Sequence, residues 1–156
     1  MTRHPTLRLL RVLAVAAAVL APAATSSAEP ASDSAVPLVT LDRDGFRIDV
    51  TAATASVGKV GTASVKVTAK DGFKVNAEYP HKLSFDVGPV GLRLEKTSFR
   101  KEDAAADGTK SLTFSVKATA DAPGKHMVDA TLKTSVCNAQ SCILKTERFQ
   151  IAFAAK

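Results

Sequence analysis

The sequence predicts an all-β domain, an immunoglobulin-like β-sandwich of about seven to nine short strands. Apolar and polar residues alternate with a period of two along five stretches of the chain, as they do in strands with one buried face. Pairs of turn-forming residues separate these stretches. Beyond residue 28, no stretch shows the 3.6-residue apolar repeat of an amphipathic helix. Since the chain has seven Phe and no Trp, we expect a core of aliphatic and Phe side chains.

The alternating stretches define the predicted strands in chain order. They cover residues 46–51, 63–70, 73–79, 112–118 and 128–136. The turn signals are Asp44-Gly45, Gly58 to Gly61, Asp71-Gly72, Asp107-Gly108 and Pro123-Gly124. Asp71-Gly72 lies directly between two alternating stretches and is therefore the strongest β-hairpin signal in the chain. The polar, Ala-rich stretch 100–110 predicts a long loop or one helical turn.

The first 28 residues have the pattern of an export signal. Residues 1–11 carry three Arg and no acidic residue, and residues 12–20 are all apolar. Small residues lie three and one positions before Glu29, which predicts cleavage there; a cut after Ala23 is the alternative. The apolar run is too short to cross a bilayer, which takes roughly 20 residues. We therefore predict export into a periplasm or out of the cell.

This pattern divides the chain into a signal peptide (1–28), a flexible leader (29–35) and a sandwich domain (36–156). No second apolar segment follows, so we expect a soluble protein that does not insert into a membrane once the signal is removed. The part after residue 28 has 18 Lys and Arg against 15 Asp and Glu, a net charge of +3. With so mild a charge and no Arg-rich run, the sequence does not favour nucleic-acid binding.

Cys137 and Cys142 are the only cysteines, so only one intramolecular bridge can form. An oxidising compartment allows that bridge. Four residues separate the two cysteines, and they predict a hairpin loop with a cysteine on either side. Facing residues of paired strands are about 4.5–5.5 Å apart, within reach of a disulfide.

The alternation also predicts where the bridge lies. If the even positions of 128–136 face the core, Cys137 faces outward, and the inward parity of Phe149 gives Cys142 the same outward direction. The charged residues Lys145 and Glu147 interrupt the pattern, so a bulge there would turn Cys142 to the other face. Without a bulge, the bridge is on the sheet surface, where the thiol of another protein can reach it.

Two interpretations of the bridge follow from the residues alone. A structural clip is common in exported domains, although a ring this small stabilises a fold by only about 2 kcal/mol against nearly 5 for a 100-residue loop. Redox exchange fits an exposed bridge. The loop residues Asn138, Gln140 and Ser141 are neutral, and the nearest cations in the sequence are Lys133 and Lys145, so no neighbour along the chain lowers a thiol pKa.

One order of residues resembles a known family. The run Asp-Gly-Phe-Lys-Val-Asn-Ala-Glu-Tyr-Pro at 71–80 precedes alternating strands that end in Val-Cys and Cys-Ile. This resembles the amino-terminal periplasmic domain of the thiol:disulfide interchange protein DsbD and its stand-alone relatives, over roughly residues 64–153. The resemblance implies an immunoglobulin-like domain whose cysteines pass electrons from a membrane thiol carrier to thioredoxin-like partners. It matches the following residues: Asn76, Tyr79, Pro80 and the redox pair Cys137 and Cys142.

The sequence gives little support for a metal site, a hydrolase or a bound cofactor. His81 and His126 could join Met127 and the cysteines as a soft copper-type ligand set, but without metal-ligand spacing they are better interpreted as loop or surface histidines. No nucleophile elbow indicates a hydrolase, and no cofactor is implied. The chain is thus at most a thiol:disulfide exchange protein with a thioredoxin-like or membrane thiol-carrier partner. The alternative is a non-enzymatic protein-binding or structural sandwich with a structural disulfide.

Overall fold

The computed structural model describes residues 39–156, which form twelve β-strands and one 3-10 turn. The predicted signal peptide, the leader and the first three residues of the predicted domain lie outside these residues. The strands are β1 Val39–Arg43, β2 Phe46–Thr51, β3 Ala53–Ala55, β4 Val60–Ala69, β5 Lys74–Val75, β6 Lys82–Phe85, β7 Leu92–Leu94, β8 Ser98–Arg100, β9 Ala104–Asp107, β10 Ser111–Ala120, β11 Gly124–Cys137 and β12 Cys142–Ala155. No helix among the described residues is long and apolar enough to cross a membrane.

The strands form two sheets, as the period-two pattern predicts. The first has the order β1-β2-β4-β10-β7, with β9 also paired to β10. The second has the order β3-β12-β11-β6-β8, with β5 also paired to β11. Every pairing is antiparallel except β3 with β12. The architecture is an immunoglobulin-like β-sandwich, confirming the predicted fold class. It has more strands than expected because segments of two to four residues are too short to show alternation.

The core lies between the sheets and consists of the side chains that the alternation placed inside. In β2, Phe46, Ile48 and Val50 have no exposed surface, whereas Arg47 between them is exposed. Strands β4, β10 and β11 repeat this pattern with their own apolar residues. Burial of each such side chain contributes about 1.5–3 kcal/mol, so the alternation is also the main source of the stability of the fold.

The Asp71-Gly72 turn does not form the predicted hairpin, and that expectation was wrong. Gly72 has a φ of 81°, as a tight turn requires, but β4 before it belongs to the first sheet and β5 after it to the second. The chain crosses between the sheets here, and the Phe73 ring packs over Gly45 and against the core. The stretch 100–110 contains the 3-10 turn Lys101–Asp103, followed by β9.

The pairing of β11 with β12 contains no bulge. It runs without interruption from Gly124 opposite Ala155 to Cys137 opposite Cys142. Glu147 occupies an inward-facing position and accepts two hydrogen bonds from the Arg43 guanidinium, from Nε and Nη2, each at 2.8 Å. These hydrogen bonds lower the pKa of Glu147 and satisfy its carboxylate. The charged side chain of Glu147 therefore occupies an inward-facing position without a change in the register of β11 and β12.

Candidate functional site

The two cysteines form a disulfide at the end of the longest hairpin. The Sγ atoms of Cys137 and Cys142 are 2.04 Å apart, and their Cα atoms are 4.0 Å apart. The N–H of Asn138 donates to the carbonyl oxygen of Ser141 at 2.9 Å, so a backbone hydrogen bond joins the two residues next to the cysteines. The neighbouring cysteines are therefore a non-hydrogen-bonded pair, in which Cα atoms approach most closely. The predicted bridge is confirmed.

The loop between the cysteines is held by its own hydrogen bonds. Oδ1 of Asn138 accepts the N–H of Gln140 at 2.9 Å and the N–H of Ser141 at 2.8 Å. Asn side chains commonly stabilise turns in this way. The fourteen-residue pairing of β11 and β12 holds the strands together below the loop. The hairpin therefore has its own support when the S–S bond opens.

The bridge lies on the outer face of the second sheet. Cys142 is exposed and Cys137 is half-buried, as the alternation predicted for a register without a bulge. Leu144 shares this face two residues after Cys142, and 59% of its surface is exposed. Leu144 is thus an exposed apolar side chain on the face that carries Cys142.

Strand β5 belongs to the run 71–80, which carries part of the family resemblance, and it lies beside the cysteines. Val75 pairs with Val136, and Lys74 is directly opposite Cys137. The run at 71–80 thus lies beside the cysteine hairpin, although about 60 residues separate the two in sequence. Lys74 is a cationic neighbour of Cys137 that the sequence does not predict, because the two residues are distant along the chain. The resemblance included Lys74 in its run, but gave no register.

An open groove of about 430 Å³ runs between β5 and the cysteine hairpin. Its lining includes Lys74, Asn76, Ala77, Thr109, Cys137 and Asn138. Cys137, the half-buried cysteine of the disulfide, lines this groove, whereas Cys142 is exposed to solvent. The site thus combines one accessible sulfur, one sheltered sulfur and a concave surface beside the sheltered one.

His81 lies in a loop, as one of the two expectations had it, but it is buried and not on the surface. Only 1% of its surface is exposed. Its Nε2–H donates to the carbonyl oxygen of Asn76 at 2.8 Å, and the hydroxyl of Thr134 donates to Nδ1 at 3.0 Å. The ring fills the space beside β11 between β5 and β6, because neither strand pairs with residues 134–135. It therefore holds the segment next to the groove against the cysteine strand.

The structure does not assemble the metal-ligand set considered from the sequence. His126 lies near the start of β11, and the eleven residues to Cys137 correspond to about 35 Å of strand. His81 is occupied on both ring nitrogens by hydrogen bonds within the protein. Within residues 39–156, no three His, Cys, Asp or Glu side chains are grouped so that they could hold a metal ion.

We expect the protein to lose stability as the pH falls below about 6.5. Burial lowers the pKa of His81 below its ordinary value of 6.5; the hydrogen bond to Asn76 raises it in part, and the charge of Lys101 lowers it again. The unfolded chain therefore takes up this proton more readily than the folded chain. The resulting stability is fully present above pH 6.5 and is lost as the pH falls.

Urea unfolding midpoints between about pH 5 and 8 test this expectation. His81→Gln should flatten the decrease in this range, whereas His126→Gln, at the other end of the sandwich, should leave it in place. An unchanged decrease in the His81→Gln variant would show that another group is responsible.

No protein-family model and no curated protein sequence matches the chain. Solved structures resemble it at low sequence identity. The N-terminal periplasmic domain of ScsB from Proteus mirabilis aligns with a TM-score of 0.48 and 14% identity over 76% of this chain and 51% of that chain. This chain thus spans about half the length of the ScsB chain that it matches.

A fimbrial subunit and a domain of a human protein also align with the chain. AggA, the major subunit of aggregative adherence fimbriae type I from Escherichia coli, has a TM-score of 0.38 and 17% identity, covering 76% of this chain and 98% of that chain. The PapD-like domain 7 of human CEP192 has a TM-score of 0.36 and 8% identity, covering 74% of this chain and 89% of that chain. At these identities the likeness concerns the fold alone.

Proposed function

We propose that this chain is an exported thiol:disulfide exchange protein that uses Cys137 and Cys142 with a thioredoxin-like or membrane thiol-carrier protein. The observation that carries the proposal is the position of the bridge. It lies on the outer face of a sheet with one sulfur accessible, at the end of a hairpin that other bonds already hold. Opening such a bridge costs the fold little, so the bond is free to be exchanged.

The exchange proceeds through a mixed disulfide. A partner thiolate attacks Sγ of the exposed Cys142, the bond to Cys137 breaks, and its electron pair remains on Sγ of Cys137 as a thiolate. The second thiolate of the partner then attacks its own sulfur in the mixed disulfide and releases Cys142 as a thiolate. The partner dithiol becomes a disulfide and this protein becomes a dithiol. In the opposite direction, Cys142 attacks the partner disulfide and Cys137 resolves the intermediate.

The surroundings of Cys142 leave room for the approach of a partner. Within the described chain, β12 is paired on one side by β11 and on the other only at residues 153–155, by β3. Cys142 therefore lies on a strand whose outer edge is uncovered at that end of the sheet. Exposed Leu144 on the same face offers an apolar contact beside the reacting sulfur.

A structural bridge in a non-enzymatic binding or structural domain is the second candidate function. One observation favours it: the disulfide joins the last residue pair of the two longest strands, where hairpin ends fray most readily. In that case the bond keeps the end of the hairpin closed, and the groove beside it serves binding alone.

The reduction potential of the Cys137–Cys142 pair separates the two functions. We expect a value above about −250 mV, in the range of exchangeable disulfides. The pair is equilibrated in a series of glutathione or dithiothreitol buffers, the free thiols are alkylated, and the mass shift gives the reduced fraction. A value below about −300 mV would make the bond resistant to reduction and would leave the structural function.

A further inference from the structure

We infer that Lys74 and Ser135 form a thiolate site for Cys137: they stabilise the negative charge that its sulfur acquires when the disulfide opens. This inference rests on the exchange function proposed above and assigns roles to two residues outside the cysteine hairpin. It is carried by two independent observations. One is the strand register opposite Cys137, and the other is a buried hydroxyl group without a partner.

The register places Lys74 beside the sulfur. Lys74 and Cys137 are directly opposite each other in the antiparallel pair of β5 and β11, where facing Cβ atoms are about 4.5–5.5 Å apart. Val75 is buried, so Lys74 points to the outer face that Cys137 shares, and both residues line the groove. No carboxylate of the described residues forms an ion pair with Lys74, which leaves its ammonium free to act on the sulfur.

Ser135 supplies a hydrogen-bond donor on the same face. It lies two residues before Cys137 and is fully buried, and its Oγ has no hydrogen-bond partner within residues 39–156. Buried polar groups almost always have partners, so an orphan hydroxyl calls for an explanation. In the disulfide form Oγ forms no hydrogen bond to sulfur either. After reduction, the Cys137 thiolate is an anionic acceptor toward which the Ser135 hydroxyl can turn.

Together these groups determine which sulfur of the bridge is attacked and which one leaves. When a partner thiolate forms a bond with Sγ of Cys142, the electron pair of the breaking S–S bond goes to Sγ of Cys137. An ammonium and a hydroxyl group near that sulfur lower the pKa of its thiol, and a thiol of lower pKa leaves faster. The sheltered sulfur is thus the better leaving group, while the exposed sulfur is the one attacked. No additional oxidant or proton donor is needed.

The acidity of the Cys137 thiol tests the inference directly. Cys142→Ser leaves Cys137 as the single thiol, and its titration is followed by thiolate absorbance and by the pH dependence of its alkylation by iodoacetamide. Adding Lys74→Gln should reduce the thiolate fraction at pH 7 by about three- to tenfold, and adding Ser135→Ala by about threefold. Lys74→Arg, which keeps the charge, should restore most of the thiolate fraction.

Lys133→Gln is the matched control, because Lys133 is an exposed lysine on the same face of β11, four residues from Cys137. It should change the thiolate fraction less than about 1.5-fold, since that distance and the solvent screen its charge. A Lys74→Gln effect no larger than that of Lys133→Gln would overturn the role of Lys74. An unchanged thiolate fraction in Ser135→Ala would overturn the role of Ser135.

The titration needs no partner and is thus independent of the proposed function. If the reduction potential of the disulfide lies in the range of structural bonds while Lys74→Gln still raises the thiol pKa, the exchange function fails and the thiolate site stands. If the potential lies in the exchangeable range and Lys74→Gln leaves the thiol pKa unchanged, the function stands and the thiolate site fails.

Discussion

Cys137→Ser should accumulate a mixed disulfide with a thioredoxin-like protein, whereas Cys142→Ser should form at least about tenfold less of it. The reason is the difference in exposure between the two sulfurs: Cys142 is exposed and Cys137 is half-buried. In Cys137→Ser the accessible thiolate attacks, and no second thiol remains to resolve the intermediate. In Cys142→Ser the remaining thiol is sheltered at the groove and meets a bulky partner poorly.

The probe is a thioredoxin whose resolving cysteine is replaced by Ser and whose attacking cysteine carries thionitrobenzoate. Attack by the variant releases thionitrobenzoate, which is measured by absorbance, and the covalent complex is measured by non-reducing electrophoresis and mass. Equal trapping by both single variants would remove the assignment of Cys142 as the attacked and attacking sulfur. No trapping by either variant would count against the proposed exchange.

The double variant Cys137→Ser/Cys142→Ser is the control for folding. It should form no covalent complex and should lose only about 2 kcal/mol in the free energy of unfolding, because the ring that the bond closes is small. The loop hydrogen bonds of Asn138 and the paired strands remain in this variant. A much larger loss, near 4 kcal/mol or above, would favour the structural function of the bridge.

His81→Ala should lower the free energy of unfolding by about 2–4 kcal/mol. The substitution removes one of the largest fully buried side chains and leaves a cavity beside β11. It also leaves the Thr134 hydroxyl and the Asn76 carbonyl oxygen without their imidazole partner. Tyr79, whose ring packs edge-on to the imidazole at 5.3 Å between centroids, loses that contact as well.

Urea unfolding of His81→Ala and His126→Ala measures this effect against a matched histidine. His126 is half-buried and makes one hydrogen bond, to the carbonyl oxygen of Ala122, so His126→Ala should cost less than about 1 kcal/mol. Hydrogen exchange should also show faster exchange of the Asn76 N–H, which donates to Ser135. A loss below about 1 kcal/mol for His81→Ala would mean that the imidazole does not anchor this segment.

Most of the fold could be predicted from the sequence because burial on one face of a strand leaves a period-two pattern. The alternation of Phe46, Ile48 and Val50 predicts β2 and its inward face, and the same logic places the cysteines on the outer face. The disulfide follows from the cysteine count and the four-residue loop. These features are local: each depends on residues that are neighbours along the chain.

The sequence could not predict which residues lie beside the cysteines, because the tertiary structure decides this. The alternation at 73–79 is compatible with a hairpin on β4, yet the chain crosses to the other sheet and places Lys74 opposite Cys137. A period-two pattern gives the face of a strand and not its partner, because any neighbouring strand of suitable polarity satisfies it equally well. The burial of His81 likewise depends on the packing of segments that are distant along the chain.

The alternation, the cysteine count and the loop length predict a β-sandwich, an outward cysteine pair and the bridge between them. The position of Lys74 opposite Cys137 at the groove, with Cys142 facing solvent, depends instead on how the strands pair. The hydrophobic pattern selects which side chains leave water. The choice of strand partners is decided by packing between segments distant in the chain, such as Phe73 over Gly45 and His81 against Thr134.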